Sequence, residues 1–181
     1  MIGSLLYIVY YFRIDDVPLW EAMFWSAVIA AVNCAVLIRL LSDKVLVFKD
    51  EGHARLFRMF HGFTPGMYRK LLDQASMVRT DQITQLTTEG ENLDKLYFVF
   101  EGGLRIRKQG KEFDYMPGTF VGEVVFLSGG NASATVTVPS GASFYEWEVE
   151  KLRKLLKHSP EIKINFEALL NRDLANKVRF S

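Results

Sequence analysis

From residue 17 to 41 the chain is almost wholly apolar, and between 22 and 38 it carries no charge (AMFWSAVIAAVNCAVLI). About 20 mostly apolar residues cross a bilayer core, so this run predicts a transmembrane helix. Glu21 and Arg39 stand near its ends, and Trp20 and Trp25 lie near one end as in an aromatic belt. Asn33 is the only strongly polar group in the middle. A second apolar run, IGSLLYIVYYF at 2–12, is short for a span. It lacks the basic n-region and small-residue cleavage site of a signal peptide. It reads instead as a first transmembrane helix, short or truncated, joined to the second through residues 13–18. Residues 1–41 are thus expected to form a transmembrane hairpin. The flank after it carries Arg39, Lys44, Lys49, Arg55 and Arg58, whereas the loop sets Arg13 against Asp15 and Asp16. The positive-inside rule then makes this a multi-pass membrane protein with its C-terminal domain in the cytoplasm. Membrane lipid and a membrane protein are the partners that follow.

Beyond the apolar run the pattern shortens. Residues 42–63 form a mixed charged and aromatic connector, in which Leu56, Met59, Phe60 and Phe63 recur at helical spacing. Thr64-Pro65 opens the next helix. Threonine caps free N–H groups, and proline at the first helical position loses no hydrogen bond. Met67, Tyr68, Leu71 and Leu72 give this helix an apolar face. From Ser76 the segments are short and strand-like: 82–88, LYFVF at 96–100, LRIR at 104–107, 112–116, 135–138 and 143–149. Glu101-Gly-Gly103 and Gln109-Gly110 supply turns between them. Many short strands with turns predict a β-barrel or jelly roll. Residues 150–157 form a basic amphipathic helix, and Ser159-Pro160 starts another that runs to about Arg179. Ile162, Phe166, Leu169, Leu170, Leu174 and Val178 stripe that last helix. The stripe either packs on its own barrel or serves a homodimer.

Composition adds exclusions. The 181 residues allow one ordinary domain and an appendage. A net charge of +1 gives no bulk attraction to nucleic acid. Cys34 is the single cysteine, so no internal disulfide forms. His53 and His61 lack carboxylate or cysteine neighbours at ligand spacing, and no metal is expected. No histidine neighbours a nucleophile motif, and there is no P-loop or dinucleotide fingerprint. The acidic pairs Asp15-Asp16 and Asp50-Glu51 lie in connectors, so the chain is expected not to be an enzyme. No helix-turn-helix follows the final helix, so no DNA-reading element is expected. Asn131-Ala-Ser133 is formally a glycosylation sequon, which a cytoplasmic location leaves unmodified.

The stretch GTFVGEVVFLSGGNASATVTV at 118–138 carries the most information. It resembles the phosphate-binding cassette of the cyclic nucleotide-binding domain family. In that family a Gly-Glu pair occupies a short turn between strands, the glycine admitting the ligand and the glutamate binding the ribose 2′-hydroxyl. The resemblance gives those roles to Gly122 and Glu123. The family's cassette closes with an arginine that pairs with the cyclic phosphate, and here Ala132-Ser133-Ala134 stands in that place. The element order over 64–180 resembles the same family, with Glu101-Gly-Gly103 at its glycine-bearing hairpin. The Popeye-domain proteins offer a narrower likeness. They too are membrane proteins without the arginine, and Val136-Thr137 and the Asp173-x-x-x-Lys177 ending are similar to theirs. Their Asp-Ser-Pro-Glu motif is replaced here by Val121-Gly-Glu-Val124.

These likenesses imply three parts: the hairpin 1–41, the connector 42–63 and a cyclic nucleotide-binding-like jelly roll with flanking helices over 64–181. They imply a membrane-anchored signalling sensor for cAMP or cGMP, with no other cofactor. Phe120, Val121, Gly122, Glu123, Val124, Ser133, Ala134 and Thr135 are the candidate ligand-binding residues. Hydroxyls of Ser133 and Thr135, or the side chains of Arg105 and Arg107, are candidate substitutes for the arginine. Glu123 is expected to serve the ligand and to matter little for folding. The alternative is a ligand-free interaction or dimerisation module in which Phe120 or Phe126 fills the pocket.

Overall fold

The computed structural model describes residues 20–44 and 51–179. The chain divides into two compact units, Met1–Val47 and Phe48–Ser181. In the first unit, α1 (Trp20–Lys44) is a helix of 25 residues with Glu21 in its first turn. Trp20, Phe24, Trp25, Ile29 and Val32 are exposed along it. Among the described residues no helix is long and apolar enough to cross a membrane. Glu21, Arg39, Asp43 and Lys44 all fall within α1. Ser26 and Asn33 further lower its apolarity. The expected span is therefore corrected to a helix without a span. The multi-pass localisation, the cytoplasmic placement deduced from it and the membrane partners fall with it. The run 2–12 and the loop 13–18 lie outside the described residues.

The second unit begins with α2 (Glu51–Met59) and α3 (Pro65–Leu72). Thr64 Oγ1 accepts the Met67 N–H at 3.3 Å, and Pro65 is the first helical residue, as the Thr-Pro pair predicts. Thr64→Ala is expected to cost about 1 kcal/mol, read as a lowered urea midpoint with an unchanged slope. Eight strands follow: β1 (Ala75–Arg79), β2 (Thr84–Thr87), β3 (Lys95–Glu101), β4 (Leu104–Lys108), β5 (Lys111–Tyr115), β6 (Thr119–Val121), β7 (Thr135–Val138) and β8 (Ser143–Glu148). Helix α4 (Glu123–Ser128) lies between β6 and β7, and α5 (Val149–His158) and α6 (Pro160–Arg179) close the chain.

The strands make two antiparallel four-stranded sheets, ordered β1-β8-β3-β6 and β2-β7-β4-β5. This sandwich with flanking helices agrees with the jelly-roll expectation. Between the sheets, Tyr97, Val99, Val121 and Phe144 meet Leu86, Leu104, Val136 and Val138. The other face of the first sheet is covered by helices. Leu96, Phe98, Phe120 and Trp147 are buried there with Leu71, Leu152, Phe166 and Leu170. This double burial explains why 96–100 is a continuous apolar run, since a strand covered on both faces has no polar alternation. In β4, exposed Arg105 and Arg107 alternate with inward Leu104 and Ile106, as expected for a half-buried strand.

Trp147 anchors the helical layer. Its indole N–H donates to the Leu71 carbonyl at 2.8 Å, and its ring lies 6.4 Å from Phe166. Of the stripe on α6, Ile162, Phe166 and Leu170 are buried in the domain's own core. Leu169 and Leu174 are half-buried, and Val178 lies outside the described side chains.

Candidate functional site: a cavity behind the Gly122-Glu123 turn

Strand β6 pairs with β3, setting Phe98 against Phe120 and Tyr97 against Val121. Alternation then sends the two β6 side chains opposite ways. Phe120 enters the helical layer, with ring centroids 4.6 Å from Phe98 and 5.9 Å from Phe166. Val121 turns into the sandwich. The next residue, Gly122, has φ +91° and caps α4. A Cβ there would press into the end of Leu93 and lie 3.2 Å from the Lys95 carbonyl oxygen. Only glycine takes this backbone without strain. The expected strand-to-strand turn is thus the start of a short helix.

Glu123 is 5% exposed. A carboxylate so buried needs a partner. Lys177, on α6, provides it at 2.6 Å and also pairs with Asp173 at 3.0 Å. Both α6 residues grip the β6 backbone as well. The Phe120 N–H donates to Asp173 Oδ2 at 3.2 Å, and Lys177 donates to the Phe120 carbonyl. Burial raises the Asp173 pKa above the usual carboxylate value, although Lys177 pulls it down. Glu123 is therefore part of a buried ionic cluster that ties α6 to the turn. The expectation that it matters little for folding is corrected.

The chain returns through 129–134 to β7. Ala132 is clipped to the neighbouring loop by two backbone bonds, Ala132 N to Glu91 O and Gly90 N to Ala132 O, each 2.8 Å. Thr135 Oγ1 accepts the Glu89 N–H at 3.0 Å, and Thr87 Oγ1 donates to the Ala134 carbonyl at 2.9 Å. Between this return and the Gly122-Glu123 turn lies a cavity of about 280 Å³. That is near the lower end of small-molecule sites, which run from roughly 300 Å³ upward.

Seven of the eight predicted residues line it: Phe120 to Val124 on one side, Ser133 and Ala134 on the other. Thr135 does not, because its hydroxyl is held by Glu89. Neither candidate aromatic fills the space. Phe120 forms part of the wall with its ring packed on Phe98 and Phe166, and Phe126 stacks edge-on against Phe166 at 6.0 Å under Arg153. Arg105 and Arg107 are not cavity residues. Arg105 pairs with Asp114 on the outer face at 2.8 Å, and Arg107 shares that face. The cationic lining comes from Lys108, Lys111 and Lys177. Sequence reading missed all three. The Asp173/Lys177 spacing was the available signal for the last, since acid and base four apart share a helix face.

Residues 82–159 match the family described as Cyclic nucleotide-binding domain. By that match the stretch from β2 to α5 is a cyclic nucleotide-binding domain. Solved structures agree in fold. The catabolite activator protein of Thermus thermophilus is 26% identical with a TM-score of 0.55, over 66% of this chain and 59% of that one. A cyclic nucleotide-binding domain from Methylobacillus flagellatus is 20% identical with a TM-score of 0.59, over 76% and 74%. The sensor domain of the transcriptional regulator DNR from Pseudomonas aeruginosa is 17% identical with a TM-score of 0.51, over 65% and 90%. The chain thus spans about three fifths of the Thermus protein. No curated protein matches it.

Proposed function

We propose that this cyclic nucleotide-binding domain is a non-catalytic sensor that takes cAMP or cGMP into the cavity behind Gly122. One observation carries the reading: the Gly122-Glu123 turn and the Ser133-Ala134 return face a common open cavity, with Phe120 in its wall and Phe126 outside it. In this reading Glu123 receives the ribose 2′-hydroxyl on the carboxylate edge that Lys177 leaves accessible. Gly122 lets the ligand approach the backbone. Because Glu123 is ion-paired to α6, ligand contact at Glu123 biases how firmly the end of α6 docks, which is the signal passed on. The likeness to Popeye-domain proteins, through the absent arginine, Val136-Thr137 and the Asp173/Lys177 spacing, is compatible with this reading but is not needed by it. A homodimer built through α6 uses its exposed side, where Ile164 stands, because the stripe is occupied.

Calorimetry of the whole chain with cAMP and with cGMP tests the proposal. Saturable heat is expected with at least one of them. Glu123→Ala, titrated under conditions where urea unfolding shows it still folded, should weaken that binding by about 1–3 kcal/mol through loss of a hydrogen bond to a charged group. Absence of heat with both nucleotides at millimolar concentration would refute the reading.

A further inference from the structure

The cavity has a mouth with a definite chemistry. Among its lining residues only Lys108, Gln109, Lys111 and Ser133 are exposed; the others are buried or half-buried. The opening therefore lies between the β4–β5 hairpin tip and Ser133, beside the Ala132 that occupies the arginine's place.

Glu89 holds these two rims together. Its backbone N–H donates to Thr135 Oγ1 at 3.0 Å, and its Oε2 accepts the Gln109 N–H at 3.3 Å. The hairpin tip is thus fixed within one side chain's reach of the return segment. Gln109 has φ +50° and Gly110 φ +79°. This two-residue turn leaves Lys108 and Lys111 directly opposite each other. Like charges paired across a hairpin are destabilising, so the local fold gains nothing from having lysine at both positions. Two lysines against the one carboxylate of Glu89 leave the mouth with a net positive charge, which matches the single negative charge of a cyclic phosphate.

We propose that Lys108 and Lys111 supply the counter-charge for the ligand's phosphate from the hairpin, across the mouth from Ser133, in place of the missing cassette arginine. The inference rests on reading the cavity as a nucleotide site. It adds that the phosphate sits at the solvent edge and not on a buried guanidinium. Exposed lysines are screened by salt, so binding should weaken steadily as sodium chloride is added.

The test uses the full chain and the double variant Lys108→Ala/Lys111→Ala, whose side chains are exposed and whose fold should be intact. Two probes are titrated into both proteins. The first is cAMP or cGMP, by calorimetry across a salt series. The double variant should bind roughly tenfold to a hundredfold more weakly, with a flatter salt dependence, while Lys108→Arg/Lys111→Arg keeps most of the affinity. The second probe is inorganic phosphate, followed by amide shifts of residues 108–111 and 133. Saturable shifts are expected in the parent and not in the double variant. Nucleotide binding unchanged in affinity and salt slope in the double variant would overturn this inference and leave the sensor reading standing. Phosphate shifts at the mouth without any nucleotide binding would overturn the sensor reading and the nucleotide role of the two lysines with it, leaving a bare anion site at the hairpin. No phosphate shifts and no nucleotide binding would end both.

Discussion

Gly122→Val should cost the domain about 3–5 kcal/mol and close the cavity with the same stroke. Two costs add. A β-branched residue forced to φ +91° is strained by roughly 1–3 kcal/mol. The new side chain also enters space held by Leu93 and the Lys95 carbonyl, and overpacking of this kind costs roughly 1–3 kcal/mol. The end of Leu93 can yield, but the Lys95 carbonyl belongs to the strand that carries the first sheet. Gly122→Ala keeps the strain and its Cβ meets the same two residues, so about 2–3 kcal/mol is expected for it, the valine methyls adding the rest. Urea unfolding followed by the fluorescence of Trp147 reads both. An alanine or valine variant as stable as the parent would show that this glycine is not required by its backbone.

Much of this architecture was legible in the sequence, for physical reasons. Thr64-Pro65 announced α3 because capping is a local interaction, and the structure contains that hydrogen bond. LYFVF at 96–100 announced a strand, and the helices over Phe98 and Trp147 give it a cover on its second face. Seven of the eight cassette residues line one cavity because a short turn and the return segment are close in the chain. What failed depended on distant segments or on length. Strand β1 has no alternating pattern and exists through its pairing with β8. The side of Arg105 could not be told from that of Lys108 without knowing which face of β4 meets the cavity. The apolar run at 17–41 was read by its hydropathy alone, and among the described residues no helix is long and apolar enough to cross a membrane. The ion pair of Glu123 could not be read because its counter-ion comes from 54 residues further along.

That counter-ion leads to the second large effect. Lys177→Met should destabilise the domain by about 2–3 kcal/mol at pH 7. Removing one partner of a buried pair typically costs 3–5 kcal/mol, because the remaining charge is left uncompensated. Here two carboxylates, Glu123 and Asp173, lose their shared cation at once. The estimate is kept below the usual range because the last turn of α6 can swing out and let water reach them. The deficit should depend on pH in a defined direction. Burial already lifts the Asp173 pKa, and the neighbouring Glu123 charge lifts it further. Without Lys177 the native state therefore holds protons that the unfolded chain has released. Stability then falls as pH rises above the ordinary carboxylate range near 4 and recovers as pH is lowered from 7 to 5. Lys177→Arg keeps a cation in place and should keep most of the stability. Paired urea titrations at pH 7 and pH 5 decide the matter. A methionine variant whose deficit is the same at both values would mean that Lys177 contributes its hydrocarbon stem and not its charge, and that Glu123 is not tied to α6 electrostatically.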